Sequence, residues 1–184
     1  REIDKQYPID LVIANAGISA GTSAGVESQL QVSNIFETNI NGVVNSIEPL
    51  ISKMIERKNG QIAIISSLAG FRGLPSSPAY SASKGAVRIY GEALRGNLAK
   101  FGIRVNVVCP GYTKTPMTAV NNFWMPFIMD STKCAKKIIN GLENNKARIA
   151  FPFLLYTIIW LLTIIPQSIT DSILSRLPAK KSFD

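Results

Sequence analysis

Gln61-Ile62-Ala63-Ile64-Ile65-Ser66-Ser67 is short, apolar and rich in β-branched side chains, and a Gly/Pro/Ser-rich stretch from Gly70 to Pro78 follows it. A run of this kind bounded by breakers reads as a buried strand that hands its chain to a loop. Helical periodicity then runs from Ala79 to Phe101 and closes at Gly102. Ile103 to Cys109 is a second buried strand, cut off by Pro110-Gly111. Strand, helix, strand in that order calls for a right-handed crossover between parallel neighbours.

Upstream, Leu11-Val12-Ile13-Ala14 is another apolar run, ending at the small turn Asn15-Ala16-Gly17. It reads as a further buried parallel strand. Between Val32 and Lys58 the residues Val32, Ile35, Ile40, Val43, Ile47, Leu50 and Met54 recur at three- to five-residue steps. That predicts one long amphipathic helix, stopped by Asn59-Gly60. The expected fold class is α/β, a Rossmann-like doubly wound parallel sheet, whose ligands lie beyond the carboxyl ends of the strands. Downstream, Tyr112 to Asp130 reads as a substrate loop carrying Met117, Phe123, Trp124, Met125 and Phe127, and Ser131 to Asn144 as a surface helix.

At 184 residues, 46% hydrophobic and 17% charged, the chain suffices for one core. It contains no histidine, which removes imidazole bases, imidazole metal sites and every Ser-His-Asp triad. Cys109 and Cys134 lack CxxC spacing and read as free thiols of a cytoplasmic protein, with no metal site. The net charge of +8 admits anionic lipid, nucleic acid or a phosphorylated cofactor. No basic run interleaved with aromatics and no reader motif is present, so nucleic acid is set aside.

Tyr80 and Lys84 stand four apart on one predicted helix and face each other. A free phenol, with pKa near 10, is a poor base at neutral pH, and a neighbouring ammonium favours its ionised form. Tyr80-Ser81-Ala82-Ser83-Lys84 resembles the active-site segment of the short-chain dehydrogenase/reductase family. Asn15-Ala16-Gly17 resembles the family's Asn-Asn-Ala-Gly turn, Asn39-Ile40-Asn41-Gly42 its helical Asn-x-x-Gly, and Ile65-Ser66-Ser67 its serine-bearing strand end. Pro110-Gly111-Tyr112-Thr113-Lys114-Thr115 is similar to its Pro-Gly-x-x-x-Thr loop.

The resemblance implies a nicotinamide-dependent oxidoreductase, using NAD or NADP, that interconverts a secondary alcohol and a ketone. It casts Tyr80 as general acid/base, Lys84 as the cation that depresses its pKa and binds the nicotinamide ribose, and Ser67, rather than Ser66, as the holder of the substrate oxygen. Asn39 is expected to support a water linking Lys84 to solvent. Asn15, Ala16 and Gly17 are expected beside the adenosine ribose, with Pro110, Gly111, Thr113 and Thr115 around the carboxamide. Ala14 stands where the family has its first asparagine, and no glycine-rich phosphate loop precedes Asp10. The chain opens on Arg1 and runs at once into a strand, which reads as a Rossmann-type domain lacking its first βαβ section. On that reading the fragment alone binds cofactor poorly.

Two other classes match parts of the sequence. Ser81-Ala82-Ser83-Lys84 fits the Ser-x-x-Lys of serine acyl-transferases, but the partner motifs are absent. An inert binding or scaffold module is argued against by the complete set Asn39, Ser67, Tyr80 and Lys84.

The organisation expected is a catalytic portion over residues 1–148 and an apolar, amphipathic extension over 149–184. Ala150 to Ile165 would be about 24 Å long if wholly helical, short of the roughly 30 Å of a hydrocarbon core. Core helix, homo-oligomer contact and membrane-surface anchor all remain open. Basic flanks at Lys133, Lys136, Lys137, Lys146, Arg148, Lys180 and Lys181 favour peripheral membrane contact through residues 150–177, giving access to a hydrophobic, lipid-like small-molecule substrate.

Overall fold

A computed structural model describes residues 4, 6–23 and 25–182. Its centre is a four-stranded parallel sheet in sequential order, β1 (Leu11–Ala14), β2 (Gly60–Ile65), β3 (Ile103–Pro110) and β4 (Arg148–Phe151). Register runs Val12 to Ile62, Ile62 to Val105 and Val108 to Ile149. The period-two alternation of a strand sends Ile62, Ile64 and Val105 to one face and Ala63 and Val108 to the other.

Helices cover both faces, as the expected doubly wound class requires. On the first face Val43, Ile47, Leu50 and Met54 of α2 (Gly42–Arg57), with Val87 and Leu98 of α3 (Pro78–Ala99), close the main core over the sheet. On the second, Cys134 and Leu142 of α5 (Ser131–Glu143) pack on Ala63, Val108 and Ile149. Gly141 permits that approach, since a Cβ there would lie 2.6 Å from Ile149 Cδ1.

The long helix expected from Val32 to Lys58 is three pieces in unbroken succession: α1 (Gln29–Phe36), a π-helical segment (Glu37–Asn41) and α2. Ile35, Asn39, Val43 and Ile47 are all fully buried. Three successive four-residue steps would drift about 120° round an ideal α-helix, and the wider π turn absorbs that drift. Asn39 is thereby aimed into the protein. The stop also differs from expectation, because the left-handed residue is Lys58, at φ 52°, and Gly60 already belongs to β2. The terminator of α3 is as expected: Gly102 has φ +77°, and a Cβ there would sit 2.9 Å from Lys58 O.

The apolar stretch after Arg148 is not one helix. Its first residues are β4, completing the sheet beside β3, so the junction expected at residue 148 falls inside a strand. Pro152 ends the strand, and α6 (Phe153–Leu162) and α7 (Gln167–Leu174) follow, with the short α4 (Pro116–Ala119) preceding α5. Among the described residues no helix is long and apolar enough to cross a membrane.

Candidate active site

The carboxyl ends of β1, β2 and β3 deliver Asn15-Ala16-Gly17, Ser66-Ser67 and Pro110-Gly111 to one edge of the sheet, and the first turns of α3 bring Tyr80 and Lys84 to the same edge. A crevice beyond parallel strand ends is where this architecture holds ligands.

Lys84 is 4% exposed, and its ammonium donates to Ile65 O at 3.0 Å. Loss of water pulls it down to about 8. A Cβ on Gly17 would lie 3.1 Å from Lys84 Nζ, so the turn after β1 is small because the ammonium lies against it. The ammonium is 6.0 Å from the centre of the Tyr80 ring. Burial raises the Tyr80 phenol above its ordinary value; a hydrogen bond with Ser67 opposes the rise, and Tyr112 adds to it. One donor of the Lys84 ammonium is turned to the Ile65 carbonyl, and low polarity around Lys84 and Tyr80 favours their neutral forms.

The neighbouring serines divide their work. Ser66 is buried and its hydroxyl donates to Lys84 O at 2.7 Å, tying β2 to α3. Ser67 Oγ accepts from Ala69 N at 3.1 Å and faces the cavity with Tyr80. Alternation along an extended chain makes this division, so it follows the strand and not the residue type.

Asn39 is fully enclosed and fully bonded. Its Oδ1 accepts from Ile18 N at 2.7 Å, and its Nδ2 donates to Ile18 O at 3.0 Å and to Ser83 Oγ at 2.9 Å. Both amide hydrogens are therefore spent, and a water on the way to Lys84 would have to donate to an oxygen of this residue. Ser83, which sequence reasoning passed over, lies on the turn between Tyr80 and Lys84 and itself donates to Tyr80 O at 2.8 Å.

Around the crevice, Asn15 is exposed and Ala16 and Gly17 are half-buried. Gly111 N donates to Phe151 O at 2.8 Å, and a Cβ on Gly111 would meet Pro152 Cδ at 3.0 Å, which accounts for glycine after Pro110. Thr113 Oγ1 is buried without a partner, an open hydroxyl of the sort a carboxamide would satisfy. With the small Gly17 turn against Lys84, this orphan fits a nicotinamide dinucleotide. Thr115 stands apart from it: exposed, it caps α4 in a reciprocal pair with Thr118.

Tyr80 and Ser67 open onto a cavity of about 610 Å³. Met117, Phe123 and Trp124 of the expected substrate loop line it, and so do Leu155, Ile159 and Leu162 of α6. The C-terminal segment thus roofs the cavity. Two of the expected basic flanks have partners within the fold: Arg148, half-buried, is bonded to Glu92 at 2.6 Å and to Tyr156 Oη at 3.1 Å, while Lys180 borders the cavity. Cys109 and Cys134 are free and buried, as expected, and burial pushes the Cys109 thiol up to about 12.

The family described as short chain dehydrogenase matches residues 1–125. The chain belongs to that family. An uncharacterized oxidoreductase of Myxococcus xanthus is 37% identical over 169 residues, covering 92% of this chain and 67% of that protein. A cyclopentanol dehydrogenase of Comamonas is 40% identical over 139 residues, 76% of this chain and 53% of that one. A short chain dehydrogenase from Mycobacterium paratuberculosis, solved bound to NAD, superposes with a TM-score of 0.65 at 27% identity, covering 77% of this chain and 60% of that one. This short chain dehydrogenase spans between about half and two thirds of the length of these relatives.

Proposed function

We propose that the protein is an oxidoreductase that interconverts a secondary alcohol and a ketone with NAD or NADP. The observation that carries this reading is the meeting of the Tyr80 and Ser67 hydroxyls at one end of a largely apolar cavity, with Lys84 buried behind them. The nicotinamide, when bound, supplies or accepts the hydride. Burial keeps the Tyr80 phenol protonated, the form that donates its proton to the oxygen of a ketone being reduced. The Ser67 hydroxyl donates to the same oxygen and stabilises the negative charge that develops there. Asn39 and Ser83 fix the turn at Ile18 against α3, so that Gly17, Lys84 and Tyr80 keep their spacing. Lys84 and Thr113 are the residues that would hold the nicotinamide half of the cofactor. Substrates with an apolar body fit the lining of Leu155, Ile159, Leu162 and Trp124.

A peripheral membrane contact belongs to this reading. The outward side of α6 leaves Phe153 78% and Leu154 56% exposed, with Leu161 and Ile164 beside them, while its inward side lines the cavity. A helix that is apolar on both sides and roofs a substrate cavity suits an enzyme drawing a lipid-like substrate from a bilayer surface. Homo-oligomerisation through the same face is the competing use of these side chains.

Ser67→Ala tests the chemical reading against Ser66→Ala. Removing a donor aimed at the developing charge lowers kcat about 100-fold or more. Ser66→Ala removes a bond between β2 and α3 and is expected to lower the melting temperature. Equal loss of turnover in the two variants, in proportion to their loss of stability, would remove the assignment of Ser67.

A further inference from the structure

Among the described residues the cavity beside Tyr80 is bordered by two cations, Arg72 and Lys180, and by no carboxylate. The charge of Arg72 is answered by Asp171 at 3.0 Å. Lys180 has no carboxylate within ion-pair distance among the described residues. Its ammonium is hydrogen-bonded to Ser19 Oγ and rests 5.1 Å from the centre of the Tyr80 ring. An ammonium has three donors, so among the described residues two remain open beside the tyrosine.

This lysine is held in place by its backbone. Ser23 N donates to Lys180 O at 2.8 Å, Gly21 N to Lys181 O at 2.7 Å, and Ser182 N to Ser23 Oγ at 2.7 Å. Gly21 has no room for a side chain under this strap, where a Cβ would come within 2.5 Å of Ser76 O. The tail therefore carries Lys180 across the turn after β1 and presents its ammonium to the cavity. Partial loss of water pulls that ammonium down to about 8, which leaves it mainly charged at neutral pH, with no carboxylate beside it among the described residues.

We propose that Lys180 is an anion subsite, and that the substrate is a hydroxy or oxo acid with an apolar chain, its carboxylate on Lys180 and its reacting carbon at Tyr80. This rests on the dehydrogenase reading above. Two open donors suit the two oxygens of one carboxylate. A phosphate dianion would call for a second cation, and Arg72 is already paired with Asp171. The short span from Lys180 to the Tyr80 ring places the carboxylate a few bonds from the reacting carbon, as in a 3-hydroxy acid. The chain of the acid then runs along Leu155, Ile159, Leu162 and Trp124.

The test uses the intact enzyme and two probes that differ by a carboxylate, racemic 3-hydroxydodecanoate and 2-undecanol. The expected ratio of kcat/KM is about tenfold or more in favour of the acid. Lys180→Met brings the ratio to near one, and Lys180→Arg keeps most of the preference. A second readout needs no turnover: quenching of tryptophan fluorescence, with Trp124 on the cavity wall, by decanoate and by 1-decanol. Decanoate should bind the tighter, and lose that advantage in Lys180→Met. Oxidation of both alcohols without preference, or equal losses for both in Lys180→Met, overturns the subsite while the dehydrogenase reading stands. Lys180-dependent decanoate binding without oxidation of either alcohol supports the subsite and overturns the dehydrogenase reading.

Discussion

Asn39→Ala removes three hydrogen bonds at once and leaves Ile18 N, Ile18 O and Ser83 Oγ without the partner they had. At a net value of about 1 kcal/mol each, the substitution costs about 3 kcal/mol of stability. For a domain of this size each kcal/mol is about 2–4 °C in melting temperature, so a fall of about 6–12 °C is expected by calorimetry. The loss has an address. The Ile18 amide, held at 2.7 Å by Asn39 Oδ1, should exchange its hydrogen much faster in the variant, while amides in the middle of β2 and β3 keep their order of protection. The turn that Ile18 anchors holds Gly17 against Lys84. Turnover should therefore fall even at temperatures where the variant is fully folded. A variant that melts within about 2 °C of the wild type, or whose Ile18 amide exchanges unchanged, would refute the role given to this side chain.

Lys84→Met separates stability from activity. Burial lowers the Lys84 pKa from 10.5 to about 8, so between those values the unfolded chain binds more protons than the native one, and wild-type stability rises with pH through that window. Below about 8 the burial cost is fully present, on the order of 3 kcal/mol, against about 1 kcal/mol for the bond to Ile65 O. The variant should melt higher than wild type at pH 7, the gap should narrow towards pH 10, and hydride transfer should be lost; a wild type that is the more stable at pH 7 contradicts this. Membrane contact is tested by Leu154→Glu with Leu161→Glu, both on the outward side of α6. These substitutions should abolish sedimentation with anionic vesicles at high salt, where screening leaves only apolar burial, and a dimer lost instead of vesicle binding would assign the face to a second copy. Deletion after Arg148 cannot serve here, because it removes most of β4 from the sheet.

Three of the four strands were legible because each is an apolar run with a breaker behind it: Ala14 before the Asn15 turn, Ile65 before the serines, Cys109 before Pro110-Gly111. Arg148–Phe151 escaped because it lies in one longer apolar stretch with α6, parted from it by Pro152 alone. Its parallel pairing with β3 is a tertiary contact that no local pattern announces. The π turn at Glu37–Asn41 was hidden for a related reason. Periodicity showed an apolar stripe, and only the burial of four residues at equal four-residue spacing reveals that the helix must widen. At the site, Tyr80, Lys84 and Ser67 come together because a helix start and a strand end fix them locally. The roles of Ser83 and Lys180 depend on partners 44 and 161 residues away, beyond the reach of any spacing rule. Counting Lys180 and Arg148 among surface charges was the natural reading of their neighbours, and Tyr80 and Glu92 correct it.

In the proposed reaction the Tyr80 hydroxyl moves the proton while the cofactor moves the hydride. Single-turnover oxidation of 2-undecanol, followed by the absorbance of the reduced nicotinamide, tests it in wild type and in Tyr80→Phe. The substitution deletes one oxygen and leaves the ring and its surroundings. Tyr80→Phe is expected to bind the cofactor and to melt close to wild type, yet to form reduced nicotinamide at least about 100-fold more slowly across the pH range. Reduced nicotinamide appearing at near wild-type rate in Tyr80→Phe would contradict it.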